Sequence, residues 1–173
     1  MTSPSPPRLS HQSRALVLGS GISGLCAARA LAPHFDRVSV IERDRIGPEV
    51  GPRRGVPQSA QPHGLLPNGR VQLEALFPGF HEVAQERGAT EWDLTYESAR
   101  YTTFGWAPRR QLGFTGLACT RPLTESVIRE LLLSQNQNVE IIEGVKVTGL
   151  LLDGEQELLV RGVRTDSPDP ALG

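Results

Sequence analysis

The sequence predicts an α/β fold organised on a parallel βαβ unit near its start, with helices and short antiparallel strands inserted behind it. Three observations carry that prediction. A short apolar run, Ala15-Leu16-Val17-Leu18, ends on the glycine-rich turn Gly19-Ser20-Gly21-Ile22-Ser23-Gly24. Leu25 to Ala32 follows, rich in Ala and Leu and free of β-branched residues, and stops at Pro33. A second apolar run, Val38-Ser39-Val40-Ile41, closes on an acid, Glu42. Apolar runs this short, bounded by turn residues, read as strands, and the segment between them reads as a helix.

The first run is continuous in its apolar character, which predicts a strand buried on both faces, as in a parallel sheet. The turn after it has a physical role for each glycine. Gly19 permits the tight strand-to-helix turn, Gly21 lets a pyrophosphate approach the backbone, and Gly24 lets helix and strand pack closely. The start of the helix offers unpaired N–H groups and a positive dipole end to phosphates. Glu42 follows Gly19 by 23 residues, the separation of an acid that accepts hydrogen bonds from ribose hydroxyls. The unit therefore reads as Rossmann-like and dinucleotide-binding. It does not choose between FAD and NAD. It does argue against the 2′-phosphate of NADP at this position, where two negative charges would meet.

The stretch that follows is dense in glycine and proline: Gly47, Pro48, Gly51, Pro52, Gly55, Pro57, Pro62, Gly64, Pro67 and Gly69. It is expected to be neither regular helix nor central strand. Arg70 to Phe77 reads as a short helix with Val71, Leu73, Leu76 and Phe77 available for burial. A second short helix, Gly79 to Arg87, is stopped by Gly88. Residues 90 to 119 alternate weakly and hold most of the aromatics, which suggests short antiparallel strands. Pro122 to Gln135 reads as a helix. Pro122 suits its first turn, Glu125 its N-terminal dipole, and Val127, Ile128, Leu131 and Leu132 share a face. Asn136 and Asn138 provide the stop. Val139 to Ile142 reads as a returning strand. Val145 to Leu152 and Leu158 to Val163 form a hairpin about Asp153-Gly154. The expected organisation is a tail over 1–13, one domain over 14–165 and a tail over 166–173.

Composition narrows the class. The chain has 173 residues and a net charge of -1, with no basic face of the kind that nucleic acid requires. Lys146 is the only lysine among 18 basic residues. No run approaches the roughly 18 apolar residues of a membrane span, and the Ser- and Pro-rich start has no apolar core of a secretory signal. The two cysteines, Cys26 and Cys119, sit in no metal-binding pattern, so no metal is expected. Cys26 reads as a small core residue. Free thiols fit a reducing cytoplasm.

Gly24-Leu25-Cys26-Ala27-Ala28-Arg29-Ala30-Leu31, continuing to Val38-Ser39-Val40-Ile41-Glu42-Arg43-Asp44, resembles the N-terminal signature of FAD-dependent oxidoreductases. Two later pieces are similar to FAD monooxygenases of the aromatic-hydroxylase type. One runs through Arg54-Gly55-Val56-Pro57-Gln58, Gln61-Pro62-His63-Gly64-Leu65-Leu66 and Leu73-Glu74-Ala75-Leu76-Phe77-Pro78-Gly79. The other is Thr120-Arg121-Pro122-Leu123-Thr124-Glu125 with Arg129. The resemblance implies that Gly19, Ser20, Gly21, Ile22, Ser23 and Gly24 hold the FAD pyrophosphate, with Glu42 and Arg43 at the adenosine. It implies that Arg121 contacts FAD from a helix start, and that a loop with Arg53, Arg54, Gln58 and His63 lies near the flavin. It further implies NAD(P)H as reductant, oxygen as co-substrate and a small aromatic or polyketide-like substrate. No catalytic residue is assigned. Two neighbouring oxidoreductase types share this front part: prenyl-lipid reductases and flavin halogenases. A halogenase needs a lysine in a later segment, and Lys146 in a hairpin gives no support for one. The family also carries a Gly-Asp pair that binds the flavin ribitol, and this sequence has none. The expectation is the front part of a longer flavoenzyme, and the alternative a nucleotide-binding remnant without turnover.

Overall fold

The structure, a computed structural model, describes residues 13–47, 51, 59, 62–153 and 159–167. In chain order its elements are β1 (Arg14–Leu18), α1 (Ile22–Leu31), β2 (Arg37–Glu42), β3 (Pro62–Leu65), α2 (Pro67–Leu76), α3 (Phe80–Glu86), β4 (Thr90–Asp93), β5 (Tyr101–Thr102), β6 (Gly105–Trp106), β7 (Thr115–Thr120), α4 (Arg121–Gln135), β8 (Val139–Glu143), β9 (Val147–Asp153) and β10 (Leu159–Thr165). The fold is mixed α/β. Its described residues divide into two units, 13–47 with 132–167, and 51 with 59–131, the boundary falling within α4 after Leu131.

In the first unit, β1 pairs with β2 and β2 with β8, all parallel, in the order β1-β2-β8. Everything from β3 to α4 is thus inserted between two neighbouring strands of one parallel sheet. Leu25 and Ala28 of α1 are fully buried, and α1 packs against β1 and β2. Asn138 ends the connection from α4 by donating from Nδ2 to the carbonyls of Ala32 and Phe35, both at 2.8 Å. Asn136 donates to the Leu132 carbonyl at 2.7 Å and accepts from Arg29 at 2.7 Å. Asn136 therefore acts as the stop that the sequence suggests, while Asn138 ties the start of β8 to the connection between α1 and β2. Ile41, Val145 and Val163, with Ile142 and Val147 against them, tie the antiparallel hairpin β9–β10 to the carboxyl end of β2.

In the second unit, β7 lies between β3 and β4 in an antiparallel sheet, and β5 and β6 form a two-stranded ribbon. The buried Leu73, Phe77, Phe80, Ala84, Ala89 and Leu117 form its core, with α2 against β3 and β7.

Several expectations need correction. β1 is not buried on both faces. Ala15 and Val17 are buried, but Leu16 is 45% and Leu18 50% exposed. A helix covers one face of β1, which is the edge strand of its sheet among the described residues, so its side chains alternate despite a uniformly apolar sequence. The glycine- and proline-rich stretch contains part of a regular helix after all, while its strand lies at a sheet edge, consistent with the exclusion of a central strand. Pro62 opens an edge strand, where a missing N–H costs little. Pro67 occupies the first turn of α2, where an N–H would be unpaired anyway. The helix therefore starts at Pro67 and not Arg70, and it contains Gly69. Val71 faces solvent at 53% exposure. Cys26 is half-buried, not core. The hairpin is present as expected, with Asp153 paired to Leu159; residues 154–158 lie outside the described residues.

The sheet also carries a charge pair with a pH consequence. Arg37 donates to Glu140 through Nε at 2.7 Å and Nη2 at 2.5 Å, and Ser39 Oγ adds 2.6 Å. The Arg37 hydrogen bonds, then Ser39, hold the Glu140 carboxyl below its ordinary value. A folded value below the unfolded one means a contribution present above the unfolded value, about 4.3 for glutamate, and lost as pH falls through the folded one. Glu140→Gln is therefore expected to flatten the acid limb of a melting-temperature profile below about pH 4.3. An unchanged acid limb rules the pair out as a contributor.

Candidate functional site

The turn between β1 and α1 is built from its glycines upward. Gly19 adopts φ +92°, a left-handed conformation that a side chain strongly disfavours. Its N–H donates to the Ile41 carbonyl at 2.8 Å, closing the loop onto β2. Gly21 is the extended N-cap of α1, and no side chain caps this helix. Gly24 lies hard against the turn. A Cβ there would sit 1.9 Å from the Gly19 carbonyl oxygen and 3.5 Å from Val17 Cγ1.

Glu42 is the second component. It is 6% exposed, and a buried carboxylate needs donors. Oε2 accepts from the Ser20 N–H at 2.8 Å and the Ser20 hydroxyl at 2.7 Å, both buried. Oε1 accepts from the Asp44 N–H at 2.9 Å. The Glu42 carbonyl accepts from the Val145 N–H at 3.0 Å. One acid thereby joins the glycine turn, the end of β2 and the segment after β8.

These groups line an open cavity of about 370 Å³. Gly19 and Gly21 form its backbone side, Glu42, Arg43 and Asp44 its polar side, and Leu18, Ile41, Val145 and Val147 its apolar wall, with Lys146 at the lining too. The α1 N–H groups suit phosphate oxygens, the carboxylate suits sugar hydroxyls, and the apolar wall suits a planar base. The residues present fit a dinucleotide.

Of the sequence-derived residues, the cavity brings together Gly19, Gly21, Glu42 and Arg43 as lining, with Ser20 and Gly24 holding its shape. Ile22 and Ser23 form the first turn of α1. Arg43 is exposed and 3.9 Å from Asp44 Oδ1. His63 lies in β3 opposite Cys119 and borders a separate cavity of about 610 Å³ with Arg87 and Leu123. Arg121 opens α4 and donates from Nε to Glu125 at 2.9 Å. Glu125 falls beyond the first turn of α4, so it is not the dipole partner that the sequence suggests. It is 2% exposed and paired with Arg121. Arg53, Arg54 and Gln58 lie outside the described residues. The lining from Val145 to Val147 was missed in the sequence. Its signal was available, since a strand parallel to β2 must deliver its following loop to the same carboxyl end.

Burial pushes the Cys119 thiol up, a shift that its contact with Thr124 at 3.0 Å opposes. Among the described residues no cluster of three metal-ligating side chains occurs, and no helix is long and apolar enough to cross a membrane.

No family model matches the chain. A 158-residue stretch is 33% identical to Protein Rv3254 of Mycobacterium tuberculosis, covering 89% of this chain and 33% of that protein. The chain thus spans about a third of the relative's length. Among solved structures it is similar to PqsL of Pseudomonas aeruginosa, described as a probable FAD-dependent monooxygenase. The TM-score is 0.63 at 18% identity, covering 90% of this chain and 39% of PqsL. It is also similar to p-nitrophenol 4-monooxygenase PnpA of Pseudomonas putida, with a TM-score of 0.59 at 18% identity, covering 91% of this chain and 37% of PnpA. These likenesses establish the fold.

Proposed function

We propose that the chain is the dinucleotide-binding front part of an FAD-dependent oxidoreductase of the monooxygenase type. It acts with NAD(P)H and oxygen on a small organic substrate, in the cytoplasm. One observation carries the reading: a Cβ-free approach of Gly24 to the Gly19 carbonyl, beside a buried Glu42 fixed by Ser20 at the edge of a cavity. The likeness to PqsL and to the p-nitrophenol 4-monooxygenase PnpA supports flavin monooxygenation over other dinucleotide chemistry.

In this reading the α1 N–H groups and Gly21 hold the pyrophosphate, and Glu42 accepts from the adenosine ribose. Leu18, Ile41, Val145 and Val147 shelter the adenine. Arg43 lies at the adenosine end, while Arg54, Gln58, His63 and Arg121 serve the flavin end. FAD, when bound, supplies the redox chemistry; the protein positions it and excludes water.

The test uses the 173-residue chain. ADP is titrated by calorimetry, FAD by fluorescence quenching, and NAD(P)H oxidation is followed with and without phenolic substrates. Binding of ADP and quenching of FAD are expected. ADP carrying a further phosphate on the ribose 2′-OH is expected to bind at least about tenfold more weakly, because it meets the Glu42 charge. Absence of both ADP binding and FAD quenching overturns the proposal. Binding without NAD(P)H oxidation leaves a nucleotide-binding module.

A further inference from the structure

The second unit holds an open cavity of about 880 Å³ that the dinucleotide reading does not use. Its size lies in the range of sites for small organic molecules. Most of its wall is apolar: Leu66, Leu94, Leu112 and Phe114 are among the lining residues, and Trp92 is one of them. Leu66, Leu112 and Phe114 are all more than half exposed, an unusual concentration of large apolar side chains on one concave surface.

Trp92 has a built seat. It stands on β4 opposite Gly116 of β7, and Gly64 of β3 lies on the far side of β7. A Cβ on Gly64 would come within 2.8 Å of Trp92 Cη2, and one on Gly116 within 2.7 Å. Two glycines on neighbouring strands thus let the indole lie down on the sheet. A large aromatic surface is thereby offered at the wall of a cavity.

The charges around the cavity are unbalanced. Arg100 and Arg110 line it, and neither guanidinium has an ion-pair or hydrogen-bond acceptor among the described residues. The nearby acids are already engaged. Asp93 accepts from the Thr95 N–H at 2.8 Å, the Thr95 hydroxyl at 2.6 Å, the Tyr96 N–H at 3.1 Å and the Gly113 N–H at 3.3 Å. Glu97 accepts from the Asp93 N–H at 2.6 Å. Arg109, between the two in sequence, is different again: it donates to the Tyr96 carbonyl and sits 5.3 Å from the Tyr96 ring centre. Backbone bonds order the segment that carries the free guanidinium groups. The Arg110 N–H donates to Thr95 at 3.1 Å, and the Ala107 N–H donates to Arg100 at 2.8 Å.

We propose that this cavity is a binding site for a planar aromatic carboxylate. The ring lies against Trp92, Leu94 and Phe114, and the carboxylate is taken by Arg100 and Arg110. A guanidinium fork matches a carboxylate in geometry as well as charge, and an apolar wall with an aromatic platform selects a ring over a hydrated inorganic anion. The site stands apart from the dinucleotide cavity, because the two share no lining residue and its occupancy needs no dinucleotide.

The experiment titrates the full 173-residue chain with 2-naphthoate by calorimetry, with 2-naphthamide as the neutral counterpart. A Trp106→Phe background makes tryptophan emission report Trp92 alone, since the sequence has two tryptophans. Naphthoate is expected to bind and to perturb Trp92 emission, with the amide about tenfold weaker. Arg100→Gln and Arg110→Gln are each expected to weaken naphthoate by about tenfold and leave the amide unchanged. Arg109→Gln is expected to leave both unchanged. Equal affinity for acid and amide, unaltered affinity in both arginine variants, or no binding each overturns the proposal. ADP binding measured on the same samples shows separately whether the dinucleotide reading holds.

Discussion

Gly24→Ala is expected to destabilise the first unit sharply and to abolish ADP binding, although alanine is ordinarily the better helix residue. Inside a helix the exchange favours alanine by about 1 kcal/mol. Here the new Cβ would lie 1.9 Å from the Gly19 carbonyl oxygen, far inside van der Waals contact. The obstacle is backbone, so no rotamer change relieves it. Gly19 has little room to yield, because its N–H is bonded to Ile41 at 2.8 Å and its φ is +92°. Overpacking of this kind costs about 3 kcal/mol or more. The net loss of about 2 kcal/mol corresponds to a fall in melting temperature of about 4–8 °C. Thermal melts followed by circular dichroism measure it, with Gly149→Ala as control. A Cβ on Gly149 meets nothing within 4 Å, so that variant should melt like the parent. If Gly24→Ala also melts like the parent and still binds ADP, the close approach is not a feature of the folded chain.

The same contrast explains what was legible in the sequence. The glycine turn was readable because its requirements are local: a left-handed residue at Gly19 and a missing side chain at Gly24 are visible in six consecutive residues. Helix α4 was readable because Val127, Ile128, Leu131 and Leu132 repeat at helical spacing, and all four are buried. Long-range facts were not readable. The apolar run in β1 does not say how many neighbours its sheet has, so the exposure of Leu16 and Leu18 could not be foreseen. Composition excludes a central strand at Pro62 but does not reveal that β3 forms at an edge. The pair of Arg121 with the buried Glu125 is not readable either, because it depends on how α4 is packed. The seating of Trp92 on Gly64 and Gly116 depends on three strands meeting, and no local window holds all three residues.

Glu42 joins both kinds of information, and its replacement carries the second large effect. In the sequence it is an acid at a strand tip, read for what it would do to a ribose. In the structure it is also a buried acceptor for Ser20 N–H, Ser20 Oγ and Asp44 N–H. Glu42→Gln keeps the shape and removes the charge, and its amide NH₂ group faces a donor wherever it replaces an oxygen. Hydrogen bonds to charged groups contribute about 1.5–3 kcal/mol, so a stability loss of about 2 kcal/mol is expected before any ligand is added. Ser20→Ala removes one of the two donors to Oε2 and should cost about 1 kcal/mol. Because the two residues share a bond, the double variant should cost less than the sum of the singles by about 1 kcal/mol. Strict additivity in that cycle would mean that the hydroxyl and carboxylate do not interact. Ligand discrimination separates the two roles of the acid. Loss of ribose acceptance weakens ADP, whereas loss of the negative charge relieves its 2′-phosphorylated form. The preference for ADP should therefore narrow by about tenfold in Glu42→Gln. It should persist in Ser20→Ala, where the charge remains. A preference unchanged in Glu42→Gln would leave the acid with its structural role alone and remove it from the nucleotide site.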